Sequence, residues 1–300
     1  MNKKVFLMGS TQTKHIKKLL DSNHIQCIDM NEEKIQNCNG LMKKVFKAIM
    51  LLQSNIVYCV GGTYKRDKVM VLARILRKRT IMHWIGTDVL VAMEAVEKGI
   101  RLQKSDIELA GSELLVEELD RIGVKACRVP IVPYALDFSL KKMPDKHSVL
   151  VYLPKERAEF YGCNIIKELV RKEPDIQFHI VANDGMEELK YDNVKFHGFL
   201  NSKEMEKLYE EITILVRYPE HDGMSMMVIE ALGMGKHVLY KYKHPYVETP
   251  RSESISDIYE SFKNIIDKPI SVNEDGHNFV AKFYSSENIM KLYNKGHVFD

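Results

Sequence analysis

Short apolar runs rich in β-branched residues alternate along this chain with longer stretches whose apolar positions fall three and four apart. Runs of four to eight apolar residues bounded by turn residues read as buried strands, and the longer periodic stretches read as helices. Strands are predicted over residues 4–9, 25–30, 56–62, 80–86, 148–153, 176–181, 194–198 and 212–217, with another opening at Val238. Helices are predicted over 13–20, 41–52, 65–79, from Ser112 to a stop at Gly123, 225–234, 255–266 and about 278–295. Strand and helix alternating in this way is the signature of parallel α/β architecture. Pro130, Pro133 and Pro144 punctuate the stretch up to His147, the best candidate linker. The predicted organisation is an α/β domain over 1–137, a second over 148–275, and a C-terminal helical segment over 276–300.

The most informative stretch is Tyr218-Pro-Glu-His-Asp-Gly-Met-Ser-Met-Met-Val-Ile-Glu-Ala-Leu-Gly-Met-Gly-Lys-His-Val-Leu-Tyr240, preceded by the strand Ile212–Arg217. Ser225 is a plausible N-cap, and Gly235 stands where a left-handed C-cap belongs. The unit is strand, loop, helix, strand, with its loop at the carboxyl end of a strand, where α/β proteins bind ligands. The helix is apolar nearly all round, so it should be buried. Glu230 is its only charge, and a buried carboxylate needs a partner. Asp222 stands at the helix mouth, followed by Gly223, Met224 and Ser225, whose backbone N–H groups can cradle an anion. Two acids flanking such a cradle suit an elongated ligand with phosphates between two hydroxyl-bearing groups, as in a nucleotide-sugar.

Asp222-x7-Glu230, within His-Asp-Gly-x-Ser-x-x-x-x-Glu-Ala-x-x-x-Gly-x-x-Val, resembles the E-x7-E motif of retaining glycosyltransferases of the GT-B fold. Among these it is most similar to the large family of glycosyl transferases group 1. The resemblance implies two Rossmann-like domains facing a cleft, with the C-terminal helix over 276–300 packing back on the first domain. It implies that Asp222 sits by the donor sugar, that the amides of Gly223, Met224 and Ser225 hold sugar and diphosphate, and that Glu230 bonds the ribose hydroxyls. Asp replaces the family's first Glu, a shorter reach. Members usually carry Gly-Arg at the first strand end of the donor domain and Lys-Gly at the next helix. Here Tyr161-Gly162 stands at the second position, which leaves Lys155, Arg157 or Arg217 to supply the positive charge. His197-Gly198-Phe199-Leu200 resembles the loop that holds the nucleobase through backbone atoms.

In the first domain, Gly9 ends a strand at a loop that in the family faces the donor phosphates. Gly86-Thr87-Asp88 resembles the family's His-Gly-Thr-Asp on the acceptor side, with Asp88 as a catalytic candidate beside Asp222. Ile85 takes the place of the His, and His83 lies two positions earlier on the same strand face, open to two readings, a substitute for that His or a histidine packed beside Trp84. The implied activity is transfer of a hexose to a hydroxyl acceptor, a glycan or a lipid-linked molecule of the cell envelope. The competing class is a non-catalytic GT-B subunit that scaffolds an active partner.

Composition narrows the field. With 45% hydrophobic and 28% charged residues the chain is that of an ordinary globular protein. Its five cysteines (27, 38, 59, 127 and 163) show no metal or redox spacing. A G-x-G-x-x-G motif is absent, which argues against a nicotinamide enzyme, and so is D-x-D, which argues against metal-dependent transferases. No cofactor and no metal are expected, the nucleotide-sugar being a substrate, and nucleic acid is not an expected partner. The N-terminal segment is too short in apolar residues for a secretory signal. Net charge is +3, but residues 1–79 carry 16 Lys/Arg against 5 Asp/Glu. Lys43, Lys44 and Lys47 on one predicted helix and the Lys65–Arg79 segment suit an anionic membrane surface; ordinary solvated helix faces give the same pattern. The expected location is cytoplasmic, extending to peripheral attachment on the inner face of the cell membrane.

Overall fold

The computed structural model describes residues 4–62, 67–133 and 139–299. The chain divides into two compact units, Met1–Tyr134 with Ser286–Asp300, and Ala135–Ser285.

The first unit holds six parallel strands: β1 (Lys4–Gly9), β2 (Gln26–Asp29), β3 (Ile56–Val60), β4 (Arg79–Trp84), β5 (Ile107–Ala110) and β6 (Cys127–Arg128), in the order β2-β1-β3-β4-β5-β6. Its crossovers carry α1 (Thr13–Ser22), α2 (Glu33–Gln36), α3 (Gly40–Gln53), α4 (Lys68–Ile75), α5 (Thr87–Glu97) and α6 (Glu113–Arg121). Every residue of β3 is buried, as expected of a parallel strand covered on both faces. Phe6, Met50, Leu51, Met70, Met82 and Trp84 share one core cluster with residues of β5 and α6.

The second unit repeats the plan with β7 (Ser148–Tyr152), β8 (Gln177–Val181), β9 (Val194–Phe196), β10 (Ile214–Arg217) and β11 (His237–Tyr240), in the order β11-β10-β7-β8-β9. Its helices are α7 (Cys163–Lys172), α8 (Ser202–Glu211), α9 (Met226–Gly233), α10 (Ile255–Ile266) and α11 (Glu274–Phe283). In each sheet the first strand has later strands on both sides, β1 between β2 and β3, and β7 between β8 and β10. That reversal opens a crevice at the carboxyl ends, the usual ligand position in open α/β sheets.

Two expectations change. The basic helix predicted over 65–79 begins only after Asp67, whose carboxylate caps it by accepting from the Val69 and Met70 amides. It stops at Ile75, because Arg77 turns left-handed at φ 53° and Arg79 joins β4. Lys65 and Arg66 lie outside the described residues, as does the first-domain boundary placed at 137. The terminal helix expected over about 278–295 is two helices, α11 and α12 (Ser286–Lys295). They are separated at Tyr284, whose ring stacks on His244, and α12 belongs to the first unit. Among the described residues no helix is long and apolar enough to cross a membrane.

Candidate functional site

Strands β7 and β10 are neighbours at the point where the second sheet reverses, and the loops leaving them are tied together. The Glu220 amide donates to the Phe160 carbonyl at 2.7 Å. Gly162 precedes α7 in a left-handed conformation, and a Cβ on it would lie 2.6 Å from the Tyr218 carbonyl oxygen. Only glycine allows that approach. The two loops therefore act as one surface.

Arg217 ends β10, and its Nε donates to Asp222 Oδ2 at 2.9 Å, the two side chains being 10% and 12% exposed. The guanidinium lies over the rings of Tyr161 (5.1 Å) and Tyr152 (5.4 Å). Burial opposes its charge, but the Asp222 carboxylate more than offsets this and raises the Arg217 pKa. Tyr240 is also bonded to Asp222; burial, then that carboxylate, pushes its hydroxyl pKa well up. Among the cations considered for the diphosphate, Arg217 is thus committed to the first acid of the motif, because the shorter Asp folds back onto the strand that precedes it. Lys155 is exposed and pairs with Asp184 at 3.2 Å. Arg157 is exposed, with its guanidinium 4.2 Å over the Phe160 ring.

From Asp222 the chain passes through buried Gly223, half-buried Met224 and buried Ser225 into α9. Ser225 occupies the N-cap position in extended conformation, but its side chain makes no capping bond. Val228, Ile229, Ala231 and Leu232 are fully buried, whereas Met226, Met227 and Glu230 are half-buried. The partner expected for Glu230 is Tyr209, whose buried hydroxyl donates to Oε2 at 2.7 Å. Gly235 closes the helix at φ 74°, with the Lys236 amide donating back to Ala231, the expected left-handed cap. On the far side of β7, His179 Nδ1 and His197 Nε2 meet at 3.0 Å. Burial, then the neighbouring His197, lowers the His179 pKa to about 4.

The first-unit candidates gather at the equivalent edge of their own sheet. Gly9 takes φ 104°, and a Cβ there would lie 2.0 Å from the Val60 carbonyl oxygen. Asp88, expected as a catalytic carboxylate, accepts from the amides of Gly86 (2.7 Å), Ile85 (3.2 Å) and Gly62. Burial raises its pKa while these amides oppose the rise. It anchors the loop containing Gly86 and exposed Thr87. His83, read as either a stand-in for the family histidine or a packed core histidine, is fully buried. Its Nε2 bonds the Val129 carbonyl at 2.8 Å and must donate there, so Nδ1 accepts from the Tyr58 hydroxyl at 2.7 Å. Burial lowers its pKa to about 4. A neutral, doubly bonded ring inside the fold cannot serve as an acceptor-side group, which corrects that assignment.

The sequence reading missed three tyrosines, Tyr152, Tyr209 and Tyr240, and noted Tyr161 without giving it a role. Tyr161 had a signal, since it stands where the family carries Lys. Tyr209 lies 21 positions from Glu230 on another helix, and no spacing rule points to it.

Residues 153–243 match the family model described as Glycosyl transferases group 1. No curated protein sequence matches the chain. Among solved structures, it is similar to sucrose-phosphate synthase from Thermosynechococcus elongatus at 13% identity and TM-score 0.70, covering 99% of this chain and 98% of that one. It is similar to the lipopolysaccharide outer core galactosyltransferase WaaB at 13% identity and TM-score 0.63, covering 98% and 99%. It is also similar to TarM of S. aureus at 12% identity and TM-score 0.59, covering 80% of this chain but only 55% of TarM, so it spans about half of that protein. The segment bearing Arg217, Asp222 and Glu230 therefore resembles the glycosyl transferases of group 1, and the two parallel α/β units have the GT-B fold.

Proposed function

We propose that the protein is a retaining, metal-independent glycosyltransferase that moves a hexose from a nucleoside-diphosphate sugar to a hydroxyl acceptor. The observation that carries this reading is the loop from Asp222 through Gly223, Met224 and Ser225 into α9 and on to Glu230, beside β7 at the sheet reversal. TarM has been solved in complex with fondaparinux, alpha-GlcNAc-glycerol and UDP, which supports a nucleotide donor here. The bond between the anomeric carbon and the phosphate oxygen breaks, and the acceptor oxygen bonds that carbon on the same face. The acceptor proton passes to the departing phosphate. The protein supplies positioning and charge stabilisation. Asp222, oriented by Arg217 and Tyr240, faces the sugar; the Gly223–Ser225 amides hold sugar and diphosphate; Glu230, oriented by Tyr209, holds the ribose. Arg157 is the diphosphate cation best supported by its exposure, with Lys155 beside it; the Gly9 loop is assigned to the donor phosphates, and the Asp88-anchored loop to the acceptor side. The acceptor is a glycan or lipid-linked molecule of the cell envelope, reached from the cytoplasmic face of the membrane.

Titration calorimetry with UDP-, GDP- and ADP-sugars tests donor binding and base choice together. One of them should bind, and Glu230→Gln should weaken it by about 1.5–3 kcal/mol, the range for charge-assisted hydrogen bonds. Unchanged affinity in a folded variant would remove Glu230 from the site. The Arg217–Asp222 pair favours a second reading, a non-catalytic GT-B subunit, because it already occupies the first acid. Wild type that neither binds nor hydrolyses any nucleotide-sugar would establish that alternative.

A further inference from the structure

Helices α3 and α4 are crossovers running the same way along the first sheet, and right-handed crossovers put them on one face. They pack side by side, so their outward sides form one surface. On α3, Phe46, Met50 and Leu51 turn into the core. Leu41 (72% exposed), Val45, Ile49 and Leu52 (67%) turn outward, at spacings of four, four and three that keep them on one stripe. On α4, Met70 and Ala73 are buried, while Leu72, Ile75 (70%) and Leu76 face solvent. This is an amphipathic layer with a second apolar side.

Its charge is nearly all positive. Residues 40–79 contain ten Lys/Arg and one acid, Asp67, whose carboxylate is used in capping α4. Two of the ten also have structural work: Lys78 bonds the Ser54 and Leu52 carbonyls, and Arg79 bonds the His297 carbonyl. Lys44, Lys47, Lys68, Arg74 and Arg77 remain exposed around the aliphatic stripe. Beside α4 a groove runs along residues 101–104, where Arg74, Arg101 and Lys104 line it without any acidic side chain. Gln103 also lines it; its Oε1 accepts from the Asp67 amide, and its buried Nε2 has no acceptor among the described residues.

We propose that the α3–α4 face docks on an anionic lipid bilayer, with the Arg74–Arg101–Lys104 groove taking a lipid phosphate and the aliphatic stripe entering the interface. A second copy of the chain is a poor occupant, because a two-fold contact would set these cations against themselves. Single-stranded nucleic acid wants aromatic platforms, and the exposed apolar side chains here are aliphatic. Acyl chains under anionic headgroups match both properties. This deepens the membrane part of the reading above and is independent of the donor part.

Vesicle sedimentation of the whole chain tests it, with phosphatidylglycerol-containing and pure phosphatidylcholine vesicles in low and high salt. Wild type should bind the anionic vesicles much more strongly than the neutral ones, and a weaker part of that binding should survive high salt because the stripe is apolar. Leu72→Ser, Ile75→Ser and Leu76→Ser together should lower anionic partitioning about tenfold and remove the salt-resistant part. Arg74→Gln, Arg101→Gln and Lys104→Gln together should lower the preference for anionic lipid at least about tenfold. Nucleotide-sugar affinity and Trp84 fluorescence should be unchanged in both variants, which separates this surface from the donor site and from misfolding. Wild type that fails to bind anionic vesicles overturns the proposal, as do two folded variants that bind like wild type. A dimer dissociated by the serine changes, without vesicle binding, would assign the face to a second copy.

Discussion

Asp222 is a carboxylate with two opposed demands, to reach a sugar and to stay solvated inside a loop that is nearly closed. Arg217 resolves the second by pairing with it at 2.9 Å, and Tyr152 and Tyr161 lie against the guanidinium. Removing one member of such a pair strands the other charge at roughly 3–5 kcal/mol, whereas replacing both by apolar groups is often close to neutral. Arg217→Met should therefore destabilise the second unit by about 3 kcal/mol or more, and Arg217→Met with Asp222→Leu by much less. Urea unfolding of the two variants and the wild type measures this. Additive losses would mean that the pair is not coupled.

Among elements, the β7 and β10 loops are the pair that must hold register, and Gly162 is where they touch. Adding a methyl group there forces a left-handed conformation on alanine and drives Cβ toward the Tyr218 carbonyl. Gly162→Ala should cost more than about 1 kcal/mol in stability and weaken donor binding, although Gly162 carries no side chain to contact the donor. Gly40→Ala, at the open start of α3 with nothing within 4 Å of the added carbon, should leave donor affinity intact. Equal donor affinity in both variants would separate the loop junction from the site.

Across the molecule, a buried polar chain helps tie α12 into the first unit. The donor order that begins at the Val129 carbonyl makes Tyr293 donate to Tyr58 (2.9 Å) and Tyr58 donate to His83 (2.7 Å). His83 is therefore held neutral, with a pKa of about 4 in the folded state against about 6.5 unfolded. Above that unfolded value both states are neutral and the group contributes no pH dependence. As pH falls through 6.5 the unfolded chain takes up a proton that the folded one refuses. Stability is then lost progressively until about pH 4, by roughly 3 kcal/mol. Trp84, the sole tryptophan, adjoins His83 in β4, so its fluorescence in urea at pH 7.5 and 5 reports this unit. His83→Gln should flatten the profile between those values; an equally steep profile would assign the acid sensitivity to other groups. Buried His15, lowered to about 4 by burial and then by Lys14 and Lys18, is the first alternative.

The alternation of apolar runs and periodic helices determined by itself that the sheets are parallel, since strands buried on both faces must be apolar throughout. Glycine positions were equally legible: Gly9 and Gly235 mark turns whose positive φ other residues resist. The loop from Asp222 to Glu230 could be read because its chemistry lies within nine consecutive positions. What only the tertiary structure decided is who meets whom across distant segments. Arg217 turned out to serve Asp222, Tyr209 to serve Glu230, and His83 to join α12 rather than a surface. Those pairings depend on strand order and helix rotation, which no local periodicity encodes. The α3–α4 face shows the same limit. The lysines of α3 were legible as a basic face, but which of its apolar residues the core leaves exposed beside them is revealed only by packing.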